Sequence, residues 1–300
     1  MSVYFRTSLQ QNYRGFTCSY EVVRNVTTVA APVTTTTTTT VKPITVEYNG
    51  EAGCGIPNAS NRIVGGTGVQ PHRYPWMVGL SFNGQWFCGG TLLNKEWILT
   101  AAHCTHGAIS AYAYLGAHNL YNEEEGRLII FSQEFVEHPQ YNVEKILNDV
   151  ALVHLPKNSI PAYTKNISPG CLPARNAVDQ NMAGQSLFAV GWGKTQNGAL
   201  ISPTLNELRV SLVTNDVCRK SYGDIIQPSN VCAQGANGTG TCQGDSGSSL
   251  QYSPRDGLYI QYGIVSFGAS TGCGSGYPNG FTRVTSYLDF IGATIGMNFN

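Results

Sequence analysis

The sequence predicts an all-β protein, an antiparallel barrel or sandwich that ends in a C-terminal helix. Hydrophobic residues make up 42% of the 300 residues, which is enough to bury a sizeable core. The apolar runs are short and end at turn residues, and the 34 glycines exceed the usual share of ~7%. We expect strands at the runs Trp86–Leu93, Trp97–Ala102, Arg127–Val136, Val150–Leu155, Ser186–Val190, Leu205–Val213 and Leu258–Phe267.

Two helices are expected beside these strands. Residues 215–222 follow Thr214, whose hydroxyl is suited to cap the first turn of a short helix. The second helix lies at the C-terminal end, where apolar side chains recur at helical spacing after Thr285: Tyr287, Leu288, Ile291 and Ile295.

Charge and hydropathy argue against two classes of partner. Lys+Arg and Asp+Glu number 18 each, charged residues are only 12% of the chain, and no basic stripe is present. Nucleic acid and anionic membranes are therefore not expected as partners. No apolar run approaches the ~18 residues of a membrane span, so none is expected.

Nine cysteines predict an oxidising compartment, and therefore a secreted, extracellular protein. None has zinc-ligand spacing, so we expect neither a metal nor a cofactor. The first residues do not form a signal peptide, so a secreted protein is expected to carry further sequence upstream. N-glycosylation sequons point the same way and start at Asn25, Asn58, Asn166 and Asn237.

Composition also divides the chain. Residues 1–24 alternate like strands but are too few to form a domain. Residues 25–53 include the consecutive threonines Thr34–Thr40, a composition typical of an extended linker. Nearly all the aromatic and β-branched runs lie beyond about Ile63, where we expect the folded domain.

The tetrapeptide Gly244-Asp245-Ser246-Gly247 is a candidate for a catalytic serine. Nucleophilic acyl transfer needs an activated hydroxyl, a base, a group that orients the base, and donors for an oxyanion. Glycines allow a tight turn, so the amides near Ser246 are able to face the same point as its hydroxyl. A surface turn explains the same residues, because Gly, Asp and Ser are common in turns.

His103 and Asp149 are candidates for the base and for the group that orients it. His103 follows the apolar residues Trp97–Leu99 and precedes Cys104, which is placed to lock that corner of the chain. Asp149 opens an apolar run, and a buried carboxylate needs donors such as an imidazole N–H. The alternatives are a structural or exposed histidine and an aspartate that caps a strand.

Arg62 predicts a site of limited proteolysis. It stands at the end of a polar stretch, directly before Ile63-Val64-Gly65-Gly66. A cut after Arg62 creates an α-ammonium group on Ile63, which is able to pair with a buried Asp that has no partner in the uncut chain.

In this order the cleavage site, His, Asp and Ser resemble the chymotrypsin/trypsin family of serine proteases over residues 54–300. The resemblance implies two six-stranded antiparallel β-barrels with the active site in the cleft between them. It implies that Ser246 attacks the scissile carbonyl, His103 is the general base and Asp149 orients the imidazole, with an oxyanion hole at the N–H groups of Gly244 and Ser246. The motifs are Ile63–Gly66, Thr100–Cys104, Asn148-Asp149, Gly191-Trp192-Gly193, Cys242–Gly247 and Val265–Gly268.

The resemblance also implies a zymogen. After an activating trypsin-like protease cuts at Arg62, Ile63 pairs with Asp245 and the oxyanion hole forms. Protein or peptide substrates and serpin-type inhibitors are the implied partners. The implied disulfides are Cys54–Cys171, Cys88–Cys104, Cys218–Cys232 and Cys242–Cys273; the first tethers residues 54–62 to the domain 63–300, and Cys18 is left unpaired.

Substrate preference follows from the residues that the resemblance places around the pocket. Gly240 stands where trypsin-like members carry an Asp that binds Arg or Lys, and Asn279 is polar but uncharged. We expect cleavage after large apolar or aromatic residues, with a broad preference that tolerates polar residues as the second choice. The implied substrate-binding residues are Gly240, Thr241, Ser266, Phe267, Gly268 and Asn279.

Two departures from the family pattern are visible. Ser248-Ser249 replaces the usual Gly and Pro after the nucleophile, which is expected to affect the backbone there. The loop 116–126 lies where some members bind calcium, but Ala117 replaces the first expected carboxylate, so we favour a solvated acidic loop over a calcium site.

Because His103 must be neutral to act as a base, activity is expected to fall below a pH of about 6.5.

Residues 1–24 resemble the last strands of a CUB domain, and the layout is similar to that of arthropod CUB-domain serine proteases of the venom type. The main hypothesis is a secreted endopeptidase made as a zymogen. A catalytically silent homologue that binds partners in an extracellular cascade is the alternative, although such homologues usually lose the nucleophile. An adhesion or scaffold protein built on the CUB remnant is a third hypothesis, and it leaves the triad motifs unexplained.

Overall fold

The computed structural model describes residues 8–12, 15–19, 48–58, 69–175, 182–255 and 257–299. The chain forms two compact units, residues 1–40 and 41–300. In the first unit, β1 (Ser8–Asn12) and β2 (Gly15–Ser19) form an antiparallel hairpin. The predicted threonine-rich tract and the cleavage site after Arg62 lie outside the described residues.

The second unit is mostly β, which confirms the predicted class. Its helices are α1 (Ala102–Thr105), α2 (Asn215–Tyr222) and α3 (Leu288–Ile295), with 3₁₀ turns at Gly223–Ile225, Ala236–Gly238 and Val284–Tyr287. No helix in the described ranges is long and apolar enough to cross a membrane. The strands are β3 (Tyr48–Asn49), β4 (Met77–Phe82), β5 (Trp86–Asn94), β6 (Trp97–Thr100), β7 (Ala111–Leu115), β8 (Leu128–Ser132), β9 (Glu134–Glu137), β10 (Ala151–His154), β11 (Leu172–Pro173), β12 (Ser186–Gly191), β13 (Asn206–Val213), β14 (Asn230–Gly235), β15 (Ser249–Arg255), β16 (Leu258–Phe267) and β17 (Asn279–Arg283).

The first barrel is an antiparallel sheet in the order β8-β7-β4-β5-β6-β10-β9. β8 and β9 stand at opposite ends of that order, yet only Gln133 separates them in the chain. The bent segment 128–137 therefore brings the two edges of the sheet together. The first barrel accordingly has seven strands, one more than predicted, because Gln133 interrupts the pairing of one predicted strand. Its interior is filled by residues that include Leu80, Leu92, Ile98, Leu99 and Leu152.

The second barrel is closed, with the six strands in the order β12-β13-β14-β17-β16-β15. Its core includes Leu187, Val210, Leu250, Tyr262 and Phe281. β16 is buried along nearly its whole length and ends at Ser266 and Phe267. The end of β16 thereby carries two of the predicted substrate-binding residues to the edge of this barrel.

Both predicted helices are present. Thr214 caps α2, because its hydroxyl accepts a hydrogen bond from the N–H of Val217 at 3.3 Å. The apolar face of α3 packs Leu288 and Ile291 into the same cluster as the first barrel's core. The C-terminal helix thus follows the second barrel in sequence but stabilises the first.

The structure contains the four disulfides that the family resemblance implies: Cys54–Cys171, Cys88–Cys104, Cys218–Cys232 and Cys242–Cys273. Around the first of them, β3 pairs with β11, and Gly55 donates its N–H to the carbonyl of Pro169 at 2.9 Å. The segment 48–55 is therefore held against the rest of the second unit by backbone pairing as well as by a covalent bond.

Candidate active site

Two hydrogen bonds join His103 to Asp149. The Asp149 carboxylate, in a residue only 2% exposed, accepts the backbone N–H of His103 on Oδ1 at 2.8 Å. Its Oδ2 lies 2.8 Å from Nδ1 of the same imidazole. A carboxylate accepts and does not donate, so Nδ1 carries the proton and Nε2 is left as the basic nitrogen.

A single turn of helix positions His103. The predicted strand Trp97–Ala102 ends earlier than expected, at Thr100, and α1 carries the imidazole away from the sheet. The disulfide between Cys88 and Cys104 ties this turn to β5. A crosslink over such a short loop stabilises a fold by about 3 kcal/mol, so the histidine sits on a fixed corner.

Asp149 is held by the C-terminal part of the chain. Thr282 of β17 donates its hydroxyl to the Asp149 carbonyl at 2.8 Å. Tyr287 donates its hydroxyl to Oδ1 of Asn148 at 3.0 Å, and Asn148 adopts a φ of 54° that asparagine tolerates better than most residues. The second barrel and the 3₁₀ turn before α3 thus fix the aspartate in place.

Ser266 has a contact that the sequence did not predict. Its hydroxyl donates to Oδ2 of Asp149 at 2.5 Å, across 117 residues of chain. The family resemblance assigned this serine to substrate binding only, and no local sequence pattern links it to Asp149. The carboxylate therefore accepts three hydrogen bonds, which compensates its burial.

Two opposing effects set the pKa of His103. Burial lowers it, while the charge of Asp149 and the hydrogen bond to that carboxylate together raise it by more. The net result is a His103 pKa above its ordinary value of 6.5. The pair thus stabilises the imidazolium that forms when Nε2 takes up a proton.

Ser246 lies in the loop that brings the second barrel against the first. Its carbonyl accepts the N–H of Gly89 at 2.7 Å, and Gly89 follows the Cys88 that is bonded to Cys104. Gly247 packs so closely on Thr100 that a Cβ at Gly247 would stand 2.2 Å from its hydroxyl. Among the described residues no hydrogen bond joins the Ser246 hydroxyl to His103.

Gly244 and Ser246 present free backbone donors. Neither amide donates to an acceptor within the part of the chain that the structure describes. Gly244 has a φ of 95°, which favours glycine, and a Cβ there would lie 2.7 Å from Ile201. The loop is therefore able to direct two N–H groups at one developing charge, as an oxyanion hole requires.

The Asp245 carboxylate lies against Gly191 and Gly193. It accepts the N–H of Gly193 at 2.7 Å and that of Cys242 at 3.0 Å. Burial raises the pKa of Asp245 to about 6, although these two N–H groups lower it. The carboxylate has backbone donors but no cationic partner among the described residues.

The departure at Ser248 is accommodated by the backbone. Ser248 is fully buried, its N–H donates to the Asp245 carbonyl at 2.9 Å, and its carbonyl accepts the N–H of Val265 at 2.9 Å. A Cβ at Gly89 would stand 1.9 Å from the Ser248 hydroxyl. Ser248, which is larger than the glycine usual in the family, is therefore matched by Gly89 opposite it.

A pocket of about 140 Å³ opens beside Ser246. Asn279 is 7% exposed; its Oδ1 accepts the N–H of Thr241 at 3.1 Å, and a Cβ at Gly240 would stand 2.1 Å from that oxygen. Of the predicted residues only Gly240 is not part of the lining, and no lining residue is charged. The pocket is lined by Thr241, Cys242, Gln243, Ser246, Val265, Ser266, Phe267, Gly268, Ala269, Gly272, Cys273 and Asn279.

The described residues do not fit a metal at either candidate position. Cys88, His103 and Cys104 come together, but the two sulfurs are bonded to each other and offer no thiolate. In the loop 116–126, Nη1 of Arg127 donates to the carbonyls of Asn119, Leu120 and Asn122 at 3.3, 3.3 and 2.6 Å. The guanidinium thus hydrogen-bonds to the carbonyl oxygens that a calcium ion would need as ligands.

Two barrels with an imidazole–carboxylate pair, a serine loop and a neutral pocket define a protein of the chymotrypsin-like fold. Residues 63–291 match the trypsin family. The chain belongs to the trypsin family of serine proteases and is a serine endopeptidase. The predicted family and fold are thereby confirmed.

Arthropod proteins are among the relatives. The chain is 40% identical over 237 residues to brachyurin of Leptuca pugilator, covering 78% of this chain and 99% of that protein. It is 36% identical over 244 residues to collagenase of Hypoderma lineatum, covering 79% and 89%. The solved structure of HL collagenase superposes with a TM-score of 0.69 at 34% identity, covering 79% of this chain and 100% of that one.

Proposed function

We propose that the protein is a secreted endopeptidase, made as a zymogen and activated by cleavage after Arg62, which cuts after large apolar or aromatic residues. The observation that carries the catalytic part is the pair of 2.8 Å contacts between His103 and Asp149. The N–H groups of Gly244 and Ser246, which have no acceptor among the described residues, support it. Nine cysteines, eight of them in disulfides, support an oxidising, extracellular location.

The proposed reaction passes through an acyl-enzyme. Ser246 Oγ attacks the scissile carbonyl while its proton moves to Nε2 of His103. Asp149 keeps Nδ1 protonated and stabilises the imidazolium, and the N–H groups of Gly244 and Ser246 hold the oxyanion. The imidazolium then gives its proton to the leaving amine, and water releases the acyl group by the same route.

The zymogen proposal starts from Asp245, whose buried carboxylate has no cationic partner among the described residues. A pKa of about 6 against an ordinary 3.8 means that the ionised carboxylate is about 3 kcal/mol less stable here than a carboxylate in water. An α-ammonium on Ile63 would offset that cost and lower the pKa again. Since Asp245 lies between Gly244 and Ser246, its orientation also decides where the two oxyanion N–H groups point.

We expect Arg62→Gln to give a stable protein with activity lower by about 10²–10³, the usual cost of losing one oxyanion donor. The activating trypsin-like protease would find no basic residue to cut after, so no ammonium would form on Ile63. The measurement is peptidase activity and N-terminal sequencing after trypsin treatment. Arg209→Gln, at an exposed strand position, is the control that should activate normally. Full activity of an Arg62→Gln chain with no cut detected would refute the switch.

The specificity proposal rests on the uncharged pocket. A Lys or Arg side chain would lose its hydration there without meeting a carboxylate, which is unfavourable by several kcal/mol. Phe267 and Val265 offer apolar surface, and the Asn279 amide tolerates a polar group. Large apolar and aromatic side chains are the preferred occupants, with a broader preference as the second choice.

In a fluorogenic peptide panel, we expect Phe and Leu before the cut bond to exceed Arg in kcat/KM by tenfold or more. Asn279→Asp places a carboxylate beside Gly240, so the ratio of Arg to Phe cleavage should rise in that variant. Asn279→Ala, which adds no charge, is the matched control and should not raise it. Arg substrates that beat Phe and Leu by tenfold on the unsubstituted enzyme would contradict this account of the pocket.

The remaining partners are proposals of the same kind. Residues 54–62 would stay attached after activation through the Cys54–Cys171 disulfide, and serpin-type inhibitors would meet the same cleft as protein substrates. Residues 1–24 would be the end of a CUB-like module, joined by the linker 25–53. A catalytically silent partner in a cascade is the alternative, and labelling by a serine-directed phosphonate after activation separates the two.

A further inference from the structure

The sequons for N-glycosylation at Asn58, Asn166 and Asn237 lie where the structure describes the asparagine, and the fold treats these three side chains differently. Nδ2 of Asn58 donates to the carbonyls of His72 and Lys165 at 2.6 and 2.5 Å, and its backbone N–H donates to Arg73 at 3.1 Å. The nitrogen that would carry a sugar is therefore used to join two segments of the domain.

Asn166 is even less accessible. The residue is 7% exposed, and its Nδ2 donates to the carbonyl of Glu125 at 3.1 Å. Its Nδ2 faces the loop 116–126, because a Cβ at Gly126 would stand 3.6 Å from that nitrogen. A sugar would replace one of the two hydrogens on this nitrogen and would find no space at so buried a residue, so a chain glycosylated there could not reach this fold.

Asn237 presents the opposite situation. It is exposed at the centre of the 3₁₀ turn Ala236–Gly238, and its side chain forms no hydrogen bond with any residue that the structure describes. Its φ of 55° is one that asparagine adopts readily. The sequon's Thr239 anchors the turn, because its hydroxyl and its N–H donate to the Ala236 carbonyl at 2.8 and 3.1 Å.

We propose that Asn237 is the N-glycosylation site of the folded endopeptidase domain, and that Asn58 and Asn166 remain unmodified in it. The donor is a lipid-linked oligosaccharide diphosphate. A bond forms between Nδ2 and the sugar's C1, the bond from C1 to the diphosphate oxygen breaks, and Nδ2 loses one proton. The proposal rests on the secretory route put forward above, but not on catalytic activity.

The test uses the whole chain, secreted from insect cells behind a heterologous signal peptide. The Ser246→Ala form is used, so that self-digestion and loss of activity do not affect the result. Peptide-N-glycosidase converts a glycosylated Asn to Asp, and peptide mass spectrometry then identifies each converted position. We expect Asp at position 237 and unchanged Asn at positions 58 and 166.

Variants of the sequon sharpen the result. The secreted Asn237→Gln and Thr239→Ala proteins should each be smaller in mass by one glycan. Thr239→Ser preserves the sequon and should keep the glycan. Unmodified Asn237 in the secreted, protease-resistant protein would overturn the proposal, and so would a glycan on Asn58 or Asn166. Peptidase activity of the unsubstituted chain is measured separately, so a failure of the endopeptidase proposal is distinguishable.

Discussion

Replacing Ser246 by Ala should lower kcat by about 10⁶-fold, the size of effect that loss of a catalytic serine has in an enzyme of this kind. In the proposed mechanism His103 would then have no nucleophile to deprotonate, and only the oxyanion donors and substrate binding would support the residual rate. The measurement is single-turnover hydrolysis of a Phe peptide by protein that has been cut after Arg62.

The fold of this variant should be intact. The Ser246 hydroxyl makes no hydrogen bond with the residues that the structure describes, so its loss leaves no buried partner unsatisfied. Ser221→Ala, at an exposed position of α2, is the matched control and should retain full activity. If Ser246→Ala kept activity within tenfold of the parent, another group would have to be the nucleophile.

Asp149→Asn should lower kcat by about 10⁴-fold while leaving the chain folded. The carboxylate accepts from the His103 backbone, from Nδ1 and from Ser266, and an amide has one oxygen to offer these three donors. An NH₂ group facing Nδ1 would move the imidazole proton to Nε2, the tautomer that is unable to act as a base. The residual rate would be measured by a discontinuous peptide-hydrolysis assay, with samples quenched over several hours.

The pH profile gives this prediction a second readout. In the proposed mechanism only neutral His103 is active. Because its pKa is raised above 6.5, kcat/KM of the parent should fall with a midpoint above pH 6.5 as the pH drops. In Asp149→Asn the two causes that raise the pKa are gone and burial remains, so the midpoint should move downward. Glu144→Gln removes an exposed carboxylate and should leave the profile unchanged. Identical midpoints for parent and Asp149→Asn would contradict the pairing.

The sequence predicted several of the strands and missed others, among them β4, β7, β14 and β17. β5 and β16 are rich in aromatic and apolar residues, and β13 alternates polar with aliphatic residues, so local sequence was sufficient for these three. β17, with the sequence Asn-Gly-Phe-Thr-Arg, is a strand because β14 and β16 pair with it on both sides. Its extended form is set by the closed barrel and not by its own composition.

The features of the candidate site likewise separate into those that sequence motifs predict and those that depend on tertiary packing. The motifs around His103, Asp149 and Ser246 supplied the residue types and their order, and the resemblance supplied their roles. The contact between Ser266 and Asp149, and the guanidinium of Arg127 inside its loop, depend on packing between distant segments. Sequence spacing does not contain that information, because a serine or an arginine at such a position is compatible with many folds.

The most direct test of the catalytic proposal is a crystal structure of the activated protein after reaction with a serine-directed phosphonate. The account predicts one covalent adduct, on Ser246 Oγ, with a phosphonyl oxygen accepting the N–H groups of Gly244 and Ser246. It also predicts Nε2 of His103 within hydrogen-bond distance of the adduct. A phosphonate bound to another residue, or an imidazole well removed from a modified Ser246, would contradict it.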